Sequence, residues 1–353
     1  MYKRIVIKIG TGVITEHDCL EESVVRDLVR QVVALRERGI ETVIVSSGAV
    51  ATGRSLLSSL SGSEDGAHRQ VYAAVGQIGL MSLYSKIFSE HRYASAQVLV
   101  TKEDFRDKNH YASMKRCFEN LLRERIVPIV NENDVIARHE LSFSDNDELA
   151  GLVASQINAD LVVMLSSVDG ILEGVGTAGP VIAEVTPENA ESLALHVTEA
   201  KSVGGRGGMK RKFEIAKRLM AQGIEVFVGN GRERDVLIAV VEGDLLGTRF
   251  IPDRKLSAIK RRLSNSEGLS AGAAYVDARA EEVLLSGGFV SLLPVGITKI
   301  EGNFKKGDVI EIRNSAKKKI GSGIAQYDAT KAVENCGKKG AKALVHYDYL
   351  FIG

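Results

Sequence analysis

The sequence predicts an α/β protein: a three-layer sandwich around a mostly parallel sheet, followed by a small C-terminal β-barrel. Three observations predict it. Up to about residue 250, short apolar runs alternate with amphipathic stretches of helical period, the pattern of crossover units in a sheet covered on both faces. Apolar runs end abruptly in polar side chains, as strands do where an α/β protein builds a ligand site at the carboxyl edge of its sheet. After Pro252 the pattern changes to short β-like segments punctuated by glycine.

Taken in order, residues 4–9 (Arg-Ile-Val-Ile-Lys-Ile) read as a buried strand. Residues 21–38 place Val25, Leu28, Val29, Val32 and Val33 on one face at helical spacing, and Gly39 ends that helix. Thr42–Val45 is the next strand, and the cycle repeats through helix 68–91, strand 95–100, helix 110–124 and strand 126–130. Val135–Phe143 reads as a β-hairpin. Helix 146–158, strand 160–165, helix 209–222, strand 224–228 and helix 233–241 complete a domain spanning residues 1–252. Residues 253–270, basic at first and then rich in Ser, Asn and Gly, read as a linker. Residues 271–353 form the expected barrel, with strands at Phe289–Leu293, Val309–Arg313 and Gly321–Ala325.

Composition narrows the function. The formal net charge of +1 over 353 residues gives no global pull toward nucleic acid or an anionic membrane surface. Three scattered cysteines, Cys19, Cys117 and Cys336, without a Cys-x-x-Cys pair, argue against a disulfide framework and a zinc site and fit a reducing compartment. The chain enters a strand at Arg4, so no leader segment is expected. No apolar run approaches a membrane-spanning length. A cytoplasmic protein without membrane contact is expected.

Several motifs can carry chemistry. Lys8-Ile9-Gly10-Thr11-Gly12 puts a lysine near the end of an apolar strand, where its ammonium must reach the sheet edge and find an anion. Ser46-Ser47-Gly48-Ala49 turns from strand into helix and leaves helix N–H groups free for phosphate or carboxylate. Gly204-Gly205-Arg206-Gly207-Gly208-Met209-Lys210-Arg211-Lys212 combines four glycines with four cations before a helix, a candidate nest for polyphosphate. Two blocks of amides and carboxylates, Asn131-Glu132-Asn133-Asp134 and Ser144-Asp145-Asn146-Asp147, flank the expected hairpin. Each motif alone is also compatible with a solvated turn; their joint occurrence in one parallel-sheet domain favours a site. No Walker A spacing is present, and no Gly-x-Gly-x-x-Gly turn follows the first strand with an acid some twenty residues on, so a dinucleotide fold is disfavoured.

Together these residues resemble the amino-acid kinase family and, within it, the glutamate kinases. The resemblance covers essentially the whole chain, including a tail similar to a PUA domain at Ser291-Leu292-Leu293-Pro294 and Gly302-Asn303-Phe304. It implies phosphoryl transfer from ATP to the γ-carboxylate of L-glutamate, giving γ-glutamyl phosphate toward proline. Lys8 and Lys212 are then implied to neutralise the moving phosphoryl group, with Asp147 orienting both. Ser47, Gly48, Asn131, Asp134 and Asn146 would hold glutamate, Asp134 through its ammonium. Lys8, Gly10, Ser166, Ser167, Arg206, Gly207, Gly208, Met209, Lys210, Arg211 and Lys212 would face the nucleotide. Mg²⁺ would bridge its phosphates, with no dedicated protein ligand set. The chain departs from the family at Ser167, where an aspartate is common, and at Arg206 and Arg211, where threonines are common; the arginines are expected to add positive charge near the phosphates.

The resemblance also implies a homo-oligomer, dimer or tetramer. Residues 271–353 carry 12 Lys/Arg against 9 Asp/Glu, and no aromatic cluster suits base stacking, so RNA binding is disfavoured and a packing or regulatory role is expected. Two other functions remain open: a kinase for another small acid, and a non-catalytic ligand or RNA sensor on the same fold.

Overall fold

The computed structural model describes the chain except residues 1, 18, 58–65, 138–142, 144, 175–178, 198–207, 245, 254–257, 265–269, 287–289 and 353. The chain divides into two units, Met1–Lys255 and Leu256–Gly353.

The first unit opens with β1 (Arg4–Ile9), a one-turn helix α1 (Thr11–Ile14) and a small hairpin of β2 (Thr15–Glu16) and β3 (Cys19–Leu20). There follow α2 (Glu22–Glu37), β4 (Glu41–Ser46), α3 (Ala49–Leu56), α4 (Gly66–Glu90), β5 (Ser95–Val100), α5 (Lys102–Arg106), α6 (Lys108–Arg123) and β6 (Val127–Glu132). The remainder comprises α7 (Asn146–Ile157), β7 (Leu161–Ser166), β8 (Glu184–Val185), α8 (Ala190–Ala194), α9 (Met209–Ala221), β9 (Glu225–Asn230), α10 (Val236–Glu242) and β10 (Gly247–Phe250). The eight strands of the main sheet are ordered β5-β6-β4-β1-β7-β9-β10-β8. All neighbours run parallel except β9 and β10, so the fold is the mostly parallel α/β sheet that the alternation predicts.

Period-two alternation along β1 explains both layers of core. Ile5, Ile7 and Ile9 point to one face, where they pack with Leu28 of α2, Tyr84 of α4 and Leu237 of α10. Val6 points to the other, with Phe118 of α6, Leu149 of α7 and Phe213 of α9. Each such fully buried side chain stabilises the fold by about 1.5–3 kcal/mol relative to exposure. Lys8 shares the face of Val6 and therefore projects toward α7 and α9. The face of α2 read from its spacing, Val25 to Val33, is buried.

Helices α3 and α4 meet backbone to backbone. A Cβ on Gly53 would lie 1.9 Å from the Tyr72 carbonyl oxygen, and one on Gly76 would lie 1.8 Å from that of Ala49. Glycine at both positions lets α4 sit directly on the first turns of α3.

Three expectations need correction. Strand β6 does not stop at Val130: Asn131 and Glu132 continue it, paired with Leu99 and Val100 of β5. Val135–Ala137 do not begin a hairpin strand, because Ile136 and Ala137 N–H groups turn back onto the Asn133 carbonyl at 3.2 and 2.9 Å; residues 138–142 of that expected hairpin lie outside the described residues. In the second unit, Leu292 makes an isolated bridge to Val345, and Val290–Leu293 form no strand.

That unit contains α11 (Ala258–Ser264), β11 (Gly272–Val276), α12 (Ala278–Leu285), β12 (Ile297–Gly302), β13 (Val309–Arg313), β14 (Lys319–Ile324), α13 (Ala329–Asn335) and β15 (Leu350–Ile352). Its five strands pair in the order β12-β11-β13-β14-β15 around a core that includes Phe304, Ile310, Ile312 and Leu344. Helix α11, inside the stretch read as a linker, packs against β14 and β15. Among the described residues no helix is long and apolar enough to cross a membrane.

Candidate active site

The chain lays β4, β6 and β5 on one side of β1 and β7 and β9 on the other. A crevice forms where such an order reverses, outside the carboxyl ends of the strands. Here that place is a cleft of about 390 Å³, lined by residues from the ends of β1, β4, β6 and β7 and the starts of α1, α3 and α7.

One end of the cleft is cationic. Asp145 caps α7, its Oδ1 accepting from the Asp147 and Glu148 N–H groups at 3.0 Å each. The cap fixes the first turn of α7, which turns the Asp147 side chain inward. Lys8 arrives from β1 and Lys212 from the first turn of α9. Asp147 joins them: Lys212 Nζ donates to Oδ2 at 2.6 Å, and Lys8 Nζ forms an ion pair with Oδ1 at 2.8 Å. Lys8, Asp147 and Lys212 are 8, 3 and 7% exposed, so each charge is largely desolvated and requires the others. Burial pushes the Asp147 carboxyl upward, but Lys212 and then Lys8 reverse this and hold it well below the ordinary carboxylate range. Lys212 is shifted down, chiefly by burial and also by Lys8, while Asp147 opposes the shift. The Asp145 carboxyl is pushed up by burial and by the neighbouring Asp147 charge.

The other end is built from amides. Asn146 Nδ2 donates to Ser47 Oγ at 2.8 Å and to Asn131 Oδ1 at 3.1 Å. Asn131 Oδ1 also accepts from the Glu132 N–H at 2.9 Å, and its Nδ2 donates to Gln77 Oε1 of α4 at 3.0 Å. These partners settle which way the Asn131 amide points. Gly48, at φ 104°, makes the left-handed turn into α3, and a Cβ there would lie 3.1 Å from Ile14 Cδ1. Asp134 faces the cleft with Arg69 Nη2 of α4 3.5 Å from its Oδ1. The Glu132 carboxylate accepts from the Phe143 N–H at 2.8 Å and so helps shape this wall.

The structure thus gathers Lys8, Asp147, Lys212, Ser47, Gly48, Asn131, Asp134 and Asn146 around one cavity, with Gly10, Ser166 and Ser167 also on its wall. Among the described residues, Gly208, Met209, Lys210 and Arg211 of the expected nucleotide set are not on that wall. Gly208 precedes α9, Met209 is buried in the core, and Lys210 is exposed on α9. Arg211 does not line the cavity: its guanidinium reaches Asp145 at 3.4 Å and Glu148 at 3.8 Å, acids at the start of α7 that attract it back along the helix pair. Arg206 and Gly207 lie outside the described residues. Sequence reasoning missed Arg69 and Gln77, whose partners lie 65 and 54 positions away and leave no local pattern. It also missed Arg54 and His17, which line the cleft.

Comparison with known proteins gives the family. Residues 3–230 match the model of the amino acid kinase family, and residues 272–347 that of the PUA domain. A protein of Chlorobaculum tepidum named glutamate 5-kinase is 44% identical over 100% of this chain and 98% of its own length. One of the same name from Bacteroides thetaiotaomicron is 40% identical over 99% of both chains. Among solved structures, N-acetylglutamate synthase from Neisseria gonorrhoeae, complexed with coenzyme A and N-acetylglutamate, aligns with a TM-score of 0.54 at 15% identity. That alignment covers 72% of this chain and 61% of the other, a likeness of fold alone. With more than half its length matched by the family model and full-length relatives at such identity, the chain belongs to the amino acid kinase family and carries a PUA domain behind its kinase domain.

Proposed function

We propose that the protein is a glutamate 5-kinase, transferring the γ-phosphoryl group of ATP to the γ-carboxylate of L-glutamate, the first step of proline biosynthesis. The observation that carries the reading is the Lys8–Asp147–Lys212 cluster in the cleft, supported by full-length similarity to proteins of that name. A carboxylate is ionised at neutral pH, so the nucleophile needs no general base. The obstacle is bringing an anion up to a polyphosphate, and fixed positive charge with in-line positioning removes it. A γ-carboxylate oxygen forms the new bond to phosphorus while the bond to the β,γ-bridging oxygen breaks, and ADP leaves with that electron pair.

In this scheme the Lys8 and Lys212 ammoniums neutralise the transferring oxygens, and Asp147 keeps both aimed inward. Ser47, Asn131 and Asn146 bind the substrate carboxylate end through their hydroxyl and amides, and Asp134 binds its ammonium. Among the described residues no group of three His, Cys, Asp or Glu side chains could hold a metal. Mg²⁺ would be held mainly by the nucleotide phosphates, with Asp145 among the carboxylates that line that end. When bound, it offsets phosphate charge. Assembly as a dimer or tetramer and a packing or regulatory role for the PUA domain belong to the same reading.

Trapping the acyl phosphate with hydroxylamine tests it. Glutamate, ATP and Mg²⁺ should yield γ-glutamyl hydroxamate at a rate proportional to protein. Phosphorylation of aspartate, N-acetylglutamate or a nucleotide instead would select another small-acid kinase; no phosphorylation at all would select a sensor.

A further inference from the structure

The cleft holds a second ion pair that phosphoryl transfer does not use. Arg69 Nη2 lies 3.5 Å from Asp134 Oδ1, longer than the roughly 2.7–2.9 Å of a strong charge-assisted hydrogen bond. Both side chains keep an open side, Arg69 36% and Asp134 16% exposed. The pair is nevertheless built into the fold. Gln70 donates to the Val135 carbonyl at 3.2 Å and Gln77 accepts from Asn131 at 3.0 Å, so α4 is pinned on both sides of Asp134. The glycine contact with α3 fixes α4 in turn.

We infer that Arg69 takes the α-carboxylate of the substrate while Asp134 takes its α-ammonium. The inference rests on the reading of the cleft as a glutamate kinase site and adds how that site selects its substrate. A free amino acid carries opposite charges on one carbon, and the wall presents the complementary pair at comparable spacing. Head and pair close into an alternating ring of four charges with no net charge. A substrate with one head charge missing or acylated leaves Asp134 or Arg69 without its new partner, so the pair selects free α-amino acids. Lys8 and Lys212 are already committed to Asp147. Arg54, which lines the cleft from the last turn of α3, is the competing cation.

The test pairs L-glutamate with 4-aminobutyrate, which keeps the reacting carboxylate and the ammonium and lacks only the α-carboxylate. Arg69→Ala should raise the glutamate KM on the order of ten- to a hundredfold, the loss of a hydrogen-bonded charge partner, with kcat changed by less than about threefold. Its inhibition constant for 4-aminobutyrate should stay within about twofold of wild type, because the contact removed is one that ligand never makes. Arg69→Lys, which keeps the charge and tests against misfolding, should recover part of the glutamate affinity. An unchanged glutamate KM, an equal loss for both ligands, or the glutamate-selective loss appearing in Arg54→Ala instead would overturn the inference. A wild type that phosphorylates no glutamate would remove the kinase reading as well; an active wild type indifferent to Arg69 removes this inference alone.

Discussion

Replacing Asp147 by asparagine removes one charge and almost no volume, and the structure says what should follow. The carboxylate lies between two buried ammoniums, 2.6 Å from one and 2.8 Å from the other. Without it the two lysines face each other across an amide. At a separation of roughly 5–7 Å and an effective dielectric near 20, their repulsion is about 2–3 kcal/mol. Removing one partner of a buried ionic cluster costs about 3–5 kcal/mol when the remaining charges stay charged. The relief available is loss of a proton. Lys212 already titrates below its ordinary value of 10.5 because of burial, and Asp147 is what opposes that shift. In Asp147→Asn its pKa should fall further, so that a working pH leaves part of the population with a neutral Lys212.

Two measurements follow from the sign of that change. In the proposed role Lys212 must be charged, so residual activity should be greatest at the acid end and fall as pH rises through the lowered pKa. At neutral pH, kcat should drop by about a hundredfold or more, with the glutamate KM within a few-fold. For stability, the unfolded chain binds the Lys212 proton and the folded variant resists it, so the thermal-stability deficit should shrink as pH is raised. The wild type shows the same sign at the acid end. Its Asp147 contribution is present above the ordinary 3.8 and lost as pH falls through the depressed folded value. Steady-state kinetics by hydroxamate formation, with melting curves across the pH range, would decide. A variant with kcat within threefold of wild type and an unaltered pH profile would refute the reasoning.

Three further outcomes are expected. Lys8→Met and Lys212→Met should each lower kcat by about a hundredfold while changing the glutamate KM little, since charge at the moving phosphoryl group is lost; a change confined to KM would reverse the two ends of the cleft. Asp134→Ala should raise the glutamate KM on the order of tenfold or more with kcat nearly kept, measured in the same assay. Gly76→Ala, whose new Cβ would lie 1.8 Å from the Ala49 carbonyl oxygen, should force α3 and α4 apart, lower stability by about 1–3 kcal/mol and raise the glutamate KM; an unshifted melting curve would contradict the packing.

What could be read in the sequence had a local cause. A lysine inside an apolar strand has one way to be tolerated, and the alternation of β1 already assigns Lys8 to a face. The Asp-Asn-Asp turn announces itself because a capping aspartate needs a position before a helix. The misread parts depend on partners distant in the chain. Asn131 and Glu132 look like turn formers, yet they extend β6 because Gln77, Asn146 and the Phe143 N–H satisfy their side chains. Arg69 and Gln77 sit in a helix whose apolar residues suggest nothing beyond packing. In the second unit, Gly272–Val276 form β11 although small residues conceal a strand, and β-branched or aromatic runs are what strand reading detects.

Charge balance, taken pair by pair, explains why one cleft can receive both a zwitterion and a polyanion. Arg69 and Asp134 cancel. Lys102 and Arg211 offset Glu148 and Asp145 at the start of α7, so Arg211 contributes no excess charge to the cavity. Lys8, Lys212 and Asp147 leave a single buried positive charge at the end proposed for the phosphates. That excess attracts an anion but is too small to offset a whole triphosphate, which fits a nucleotide that brings its own cation. The Arg69–Asp134 pair, carrying no net charge, gains most from a ligand whose two head charges answer both of its own. On the proposed roles, selectivity for the amino acid and affinity for the phosphoryl group arise from separate charge sets, and a substitution in one should leave the other largely intact.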